Sequence, residues 1–325
     1  MNSLTNKFRI FRRRLLGAAG FPVCSEPLSI DVEPTVRCNL RCTFCRQAAS
    51  QRKTPDMPES LFETILDSFP DLHAVKLQGI GEPLLHPGII QLIGQAKRRG
   101  IRVTIFTNGT LLGKGMAEKL TSSGIDEINV SFDHPDPRIF ETLRPGLDWQ
   151  RFSDGVRDLS QCTKNKPVAV SAWTVVTKNL SGCVSRHVAA ASDLGFKRIA
   201  FQLDMTKWGQ ENAPHLLQEP SLDVIAEVES AVNAGSDGME LSCRHTNSFS
   251  MEKPCPWPFY HTFISAEGNV QPCCIMTDPS VFTLGSIAAK PFFRLWNGKK
   301  YFAFRRTFYS RETIKMFCRG CYLDS

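Results

Sequence analysis

No stretch of this 325-residue chain stays apolar for the roughly 18 residues that a membrane-spanning helix needs. The basic start is not followed by an uninterrupted apolar segment, so a cleavable export signal is not expected. No module of interleaved basic and aromatic residues occurs, which argues against nucleic acid as a partner. No short sequence repeat is present either, and only an alternation of strand and helix patterns recurs.

What is present is twelve Cys and a net charge of +7, in a chain that is 42% hydrophobic and 22% charged, the composition of a globular protein. Without an export signal, thiols in this number fit a reducing, cytoplasmic setting, where they act as metal ligands or free thiols rather than disulfides. Seven of them fall into two clusters. The other five, Cys24, Cys162, Cys183, Cys243 and Cys274, are mostly scattered, and a buried thiol commonly behaves as a small hydrophobe. The charge is diffuse and compatible with an acidic or phosphorylated substrate.

The first thiol cluster is Cys38-Asn-Leu-Arg-Cys42-Thr-Phe-Cys45. Three thiolates at this spacing can wrap one face of a cubane iron–sulfur cluster and leave one iron open, and an open position marks a reactive metal site. Close Cys pairs also bind zinc, so a zinc knuckle or a ferredoxin-like loop competes on spacing alone.

Around that loop the chain reads as alternating strands and helices. Residues 1–28 begin with Lys7, Arg9, Arg12, Arg13 and Arg14 between Leu4, Phe8, Phe11 and Leu15, a basic amphipathic helix. It either packs on its own domain or touches an anionic membrane surface peripherally. A strand over 29–35 runs directly into the Cys loop. Strands follow at 74–78, 101–106, 126–132, 168–176 and 198–203, with helices at 58–69, 88–99, 113–123, within 150–163, and at 182–194. Six such βα units predict an α/β fold with a parallel sheet and right-handed crossovers, and parallel sheets of this kind carry their working residues at the C-terminal strand ends.

The segments at those ends are unusual. Gly79-Ile-Gly81-Glu82-Pro83 follows the second strand, Thr107-Asn108-Gly109-Thr110 the third and Ser131-Phe-Asp133 the fourth; Thr177 and Asn179 follow the fifth. The sixth ends in Phe201-Gln202-Leu203-Asp204. Each segment alone also reads as a turn or cap. A helix is expected from Leu222 to Val232, and a Pro- and Ser-rich stretch over 236–258 marks a domain boundary.

The last part holds Cys255, a hairpin signal around Glu267-Gly268-Asn269, then Cys273-Cys274 and a distant Cys318-Arg-Gly-Cys321. By spacing, Cys255, Cys273, Cys318 and Cys321 suit a structural zinc or an iron–sulfur cluster.

Together the Cys loop, the GxGEP segment and the strand-end residues resemble the radical S-adenosylmethionine (radical SAM) superfamily. The resemblance implies a partial (βα)6 TIM-like barrel over 29–235, with Cys38, Cys42 and Cys45 holding a [4Fe–4S] cluster whose open iron takes S-adenosylmethionine. It implies cofactor contacts from Phe44 (adenine), Gly81 and Glu82 (the methionyl ammonium), Asn108, Ser131, Asp133, Thr177 and Asn179. The first glycine of the family's GGEP motif is replaced by Ile80.

Residues 236–325 resemble a shortened SPASM, or twitch, domain, with Cys255, Cys273, Cys318 and Cys321 on a second [4Fe–4S] cluster. The implied activity is reductive cleavage of S-adenosylmethionine to a 5′-deoxyadenosyl radical, which takes a hydrogen atom from substrate. An external one-electron reductant of flavodoxin or ferredoxin type is the implied partner. The shortened appendage resembles that of aminocyclitol dehydrogenases and sugar epimerases, so a small carbohydrate-like substrate, dehydrogenated or epimerised, is expected. A peptide maturase is the alternative: the extra peptide-recognition domain frequent there is not expected, since only some 28 residues precede the first strand, but that domain can be a separate protein; a non-catalytic electron carrier is a third reading. Cys274 and Asp204 are the catalytic candidates, with His134, Arg144 and Lys207 as further groups near the mouth.

Overall fold

The computed structural model describes residues 26–45, 52–203, 220–244, 255–309 and 318. The N-terminal helix, Asp204, Lys207 and Cys321 lie outside the described residues. Among the described residues no helix is long and apolar enough to cross a membrane.

Among the described residues ten strands form one sheet, in the order β10-β9-β8-β1-β2-β3-β4-β5-β6-β7. The strands β1 (Ser29–Val32), β2 (Ala74–Leu77), β3 (Arg102–Thr107), β4 (Glu127–Ser131), β5 (Ala169–Val175) and β6 (Arg198–Gln202) match the six expected units and pair in parallel. Their helix-facing residues, among them Ile30, Val32, Val75, Leu77, Val103, Ile105, Ile128 and Val130, are fully buried. Strands flanked by crossover helices need this run of branched side chains.

The crossover helices are α1 (Glu59–Asp67), α2 (Ile89–Arg98), α3 (Lys114–Ser122), α4 (Pro137–Leu143), α5 (Trp149–Thr163) and α6 (Val184–Asp193). Their inward stripes, such as Phe62, Ile65 and Leu66 on α1, recur at helical spacing and close on the sheet. The short α4 was not expected. Asp136 caps it by accepting from the Arg138 and Ile139 amides at 2.9 and 3.3 Å, and Pro137 starts it.

The sheet continues past residue 235. Helix α7 (Leu222–Ala234) leads to β7 (Glu240–Arg244), a seventh parallel strand beside β6 that falls within the stretch read as a boundary. Its sequence, Glu-Leu-Ser-Cys-Arg, carries no β-branched residue and so gave no strand signal. The expected hairpin forms from β8 (Phe263–Ile264) and β9 (Asn269–Gln271), extended by β10 (Gly285–Ser286). Strand β8 joins β1 in parallel, Asp31 opposite Phe263 and Val32 opposite Ile264. Core and appendage therefore share one sheet, and β1, which feeds the Cys loop, is flanked on both sides.

Candidate functional site

The three loop thiols lie just beyond β1. They are electrostatic neighbours of one another, although among the described residues no three of His, Cys, Asp and Glu meet at a point sized for one ion. Burial pushes the Cys42 thiol up to about 12, with the guanidinium of Arg144 pulling the other way, and burial likewise raises Cys38. Two thiols that burial holds protonated, Cys38 and Cys42, become thiolates only when a metal centre supplies the compensating charge. Two donors already face the sulfurs. Arg144 Nη1 lies 3.6 Å from Cys42 Sγ, and Asn108 Nδ2 lies 3.9 Å from Cys38 Sγ. Donors at ligand sulfurs are what a cluster loop uses to stabilise its thiolates.

The GxGEP segment is locked onto this loop by backbone contact. Glu82 N–H donates to the Arg37 carbonyl at 2.8 Å. A Cβ on Gly81 would stand 2.2 Å from the Thr35 carbonyl oxygen and 2.6 Å from that of Arg37, so only glycine permits the approach. Glu82 is 2% exposed, and its carboxylate accepts from the Leu84 amide at 3.0 Å, Thr107 Oγ1 at 2.7 Å and the Asn108 amide at 2.6 Å. Burial raises its pKa, with those three donors opposing. The side chain thus ties the end of β2 to the turn after β3. That turn needs Gly109 at a φ of 80°, and it closes on the Cys loop through Asn108 Nδ2 to Asn39 Oδ1 at 3.0 Å and Asn39 Nδ2 to Thr110 Oγ1 at 2.8 Å.

At the end of β4, Asp133 is buried with both oxygens engaged. Oδ2 accepts from Arg144 Nε at 2.5 Å and Oδ1 from the Val175 amide at 2.9 Å. Arg144 is buried too. Burial works against its charge, but Asp133 overrides that and raises its pKa. Its guanidinium sits 5.4 Å from the centroid of the Phe44 ring and 5.9 Å from that of Phe140. Cys42, Phe44, Asp133 and Arg144 are therefore one contiguous group. Ser131 closes β4, paired with Trp173, while buried Thr177 precedes the single turn Lys178–Leu180 after β5. Asn179, within that turn, accepts from His134 Nε2 through its carbonyl at 3.0 Å. All these residues occupy the same end of the sheet, the C-terminal strand ends.

Sequence patterns gave Arg144 no particular rank, since it lies in a Leu-Arg-Pro-Gly turn without periodicity. They missed Glu33 and Arg52 altogether. Glu33, fully buried just after β1, pairs with Arg52 at 2.7 Å and accepts from the Ile80 and Ala266 amides at 3.1 and 3.3 Å. Arg52 also reaches Glu267 at 2.7 Å and the Thr277 carbonyl at 2.7 Å. One guanidinium thereby joins the segment after the Cys loop, the end of β1 and the appendage on both sides of Cys273. The detectable signal was two carboxylates, Asp31 and Glu33, alternating with Ile30 and Val32 in a strand expected to be buried.

In the appendage, Cys255, Cys273 and Cys318 are half-buried against the apolar body, and Cys274 is also half-buried. Helix α8 (Trp257–Tyr260) starts two residues after Cys255, and Cys273 follows β9.

A family model described as the radical SAM superfamily matches residues 32–177, and one described as an iron–sulfur cluster-binding domain matches residues 255–322. The chain is 25% identical over 312 residues to a tungsten-containing aldehyde ferredoxin oxidoreductase cofactor-modifying protein from Pyrococcus furiosus, covering 90% of this chain and 86% of that one. It is 25% identical over 313 residues to a PqqA peptide cyclase from Streptomyces rochei, covering 92% and 83%. The crystal structure of Streptococcus suis SuiB bound to precursor peptide SuiA has the same fold, with a TM-score of 0.73 at 17% identity over 94% of this chain and 72% of that one.

Proposed function

This chain belongs to the radical SAM superfamily and carries a C-terminal iron–sulfur cluster-binding domain, and from that premise we propose that it modifies a peptide. Its cofactors are [4Fe–4S] clusters and S-adenosylmethionine; bound, they supply hydrogen-atom abstraction from an unactivated C–H bond. The protein's own part is to hold, orient and shield.

In this reading Cys38, Cys42 and Cys45 carry the first cluster, and Cys255, Cys273, Cys318 and Cys321 the second. Arg144 stabilises the ligand sulfur of Cys42 and is itself held by Asp133, while Phe44 covers its outer face. Glu82 fixes the strand-end loops, so Gly81 and Asn108 are presented to S-adenosylmethionine at a set spacing. Ser131, Thr177 and Asn179 complete the rim along the ends of β4 and β5. Burial of Glu82, Asp133 and Arg144 keeps water from the reacting end.

The observation that carries the peptide reading is the similarity to a PqqA peptide cyclase, which runs through both the barrel and the appendage and covers 92% of this chain. A carbohydrate-like or aminocyclitol substrate rested on the length of the appendage alone and has less support. An external one-electron reductant of flavodoxin or ferredoxin type completes the system.

The test is deuterium transfer into 5′-deoxyadenosine under anaerobic, reducing conditions. Label should arrive from a deuterated peptide encoded near the gene and not from deuterated sugars or aminocyclitols. Transfer from a sugar would reverse the assignment, and loss of 5′-deoxyadenosine in the Cys42→Ala variant ties the signal to the loop.

A further inference from the structure

The positive charge, diffuse over the chain as a whole, is locally dense near the C-terminus. Between Asp278 and Glu312 the sequence carries seven Lys and Arg and no carboxylate, so this one stretch matches the net charge of +7 of the whole chain. It builds the helix pair α9 (Phe292–Trp296) and α10 (Lys299–Arg306), joined at Asn297-Gly298. Phe292, Leu295, Trp296, Tyr301 and Phe304 face inward and are buried. Outward stand Arg294, Lys299 and Arg306, with Phe293 at 58% and Phe302 at 38% exposure. Lys299, Phe302 and Arg306 recur at i, i+3 and i+7, which puts them on one face of α10. A lone exposed Phe needs no explanation, but two set between cations, in a stretch of sequence without a carboxylate, form an apolar centre with a positive rim.

The position of this face limits what it serves. Helix α10 packs on α8, with Arg305 Nε donating to the Pro258 carbonyl at 2.7 Å and the rings of Phe259 and Phe308 6.4 Å apart. Helix α8 begins just after Cys255, so the face is carried by helices packed on the element that follows an appendage thiol. The ring of Phe292 rests 4.2 Å from that of Phe69, at the end of the α1 segment that leads to the start of β2. That is the N-terminal end of the parallel strands, opposite the rim where the cofactor residues gather. The face is therefore remote from the end where substrate would react.

We propose that the outward face of α9 and α10 is the docking surface for an acidic one-electron carrier protein of flavodoxin or ferredoxin type. The inference rests on the reading of the appendage as cluster-bearing. Redox encounters use small interfaces steered by opposite charge, with a few apolar groups at the centre, and the two Phe with their basic rim match that description. The carrier would give up one electron to the cluster that Cys255, Cys273, Cys318 and Cys321 would hold, for onward transfer to the one that Cys38, Cys42 and Cys45 would hold; no proton or group would move.

The test uses the reconstituted protein and its R294E/K299E/R306E variant, with a purified acidic flavodoxin as the probe. Two quantities are read: the dissociation constant for flavodoxin at low and high salt, and 5′-deoxyadenosine formation driven by reduced flavodoxin or by dithionite. At low salt the variant should bind flavodoxin at least about tenfold more weakly and lose flavodoxin-driven turnover in proportion. The difference should shrink at high salt, and the dithionite-driven rate should match wild type. A second variant, F293S/F302S, should weaken binding at both salt concentrations. Unchanged flavodoxin affinity in the charge-reversed protein overturns the proposal, as does a variant that keeps flavodoxin but loses an acidic peptide or anionic vesicles. Absence of dithionite-driven turnover in wild type would instead count against the enzyme reading, because the binding measurement does not depend on it.

Discussion

Glu82 is where the two loops that define the site are fastened together, and it is a carboxylate held by three donors from its own chain. Hydrogen bonds to a charged acceptor are worth about 1.5–3 kcal/mol each, and leaving buried donors mispaired costs a similar amount. Glu82→Gln should therefore destabilise the protein by about 2–3 kcal/mol in urea unfolding and weaken S-adenosylmethionine binding at least about tenfold by calorimetry. Wild-type values for both would remove its clamping role. His187 gives a second prediction. It is fully buried against Phe132, ring centroids 4.6 Å apart, with Nε2 2.9 Å from Thr174 Oγ1, and burial pushes its pKa down to about 3. The unfolded chain takes up a proton near 6.5 that the folded chain refuses. Its contribution is thus intact above pH 6.5 and is lost as pH falls toward 3, at about 1.4 kcal/mol per unit. His187→Gln should flatten the stability profile between pH 7 and pH 5 relative to wild type. At this scale the thiols and the GxGEP segment could be recognised in the sequence because ligand spacing is local. The partners of Glu82 could not, because Thr107 and Asn108 arrive from a different strand, and Arg144 approaches Cys42 from 102 residues away.

Strand and helix boundaries over 29–203 were readable to within a few residues, since each apolar period reports directly on which face is buried. The exceptions have physical reasons. Helix α4 spans seven residues, too few for a period to declare itself, and only the Asp136-Pro137 start signal could have revealed it. Strand β7 is half-buried and polar, so it is held by its partner β6 rather than by its own propensity. Contacts between elements were not readable at all, and the Arg52 junction is the plainest example. Its side chain is 7% exposed and joins Glu33 and Glu267, with Glu33 at 0%. Burial raises the pKa of Glu33 despite the guanidinium beside it. Removing the cation leaves that carboxylate buried without compensation, which typically costs 3–5 kcal/mol. Arg52→Met should destabilise the protein by about 3–5 kcal/mol, and adding Glu33→Gln should recover a large part of that loss, because the charge left behind is then gone. Equal stability of the single and double variants in denaturant titrations would mean that the pair is not coupled.

In the whole molecule, β1 is the spine that both parts share. On one side it pairs with β2; on the other, its Asp31 amide donates to the Thr262 carbonyl at 3.0 Å and its neighbour Glu33 donates to the Ile264 carbonyl at 2.9 Å. The buried carboxylate of Asp31 takes a hydrogen bond from Gln78 and one from His261 at 2.8 Å, and that of Glu33 takes the Ala266 amide. The appendage therefore does more than present thiols. It supplies partners for buried donors and acidic groups on the strand that runs straight into Cys38. A protein cut after residue 254 would expose that strand edge and leave both carboxylates short of donors, with each unsatisfied buried group costing about 1–3 kcal/mol. Several such losses are comparable with the 5–15 kcal/mol that stabilise an ordinary domain. The shortened chain should consequently be insoluble or lack cooperative unfolding, and it should fail to take up iron even at the intact Cys38, Cys42 and Cys45. Cooperative unfolding together with about four irons per chain in the truncated protein would mean that the barrel stands alone and the appendage is a separable module. Loss of iron at a loop whose own residues are untouched would mean that the first site is completed by the sheet that the second one extends.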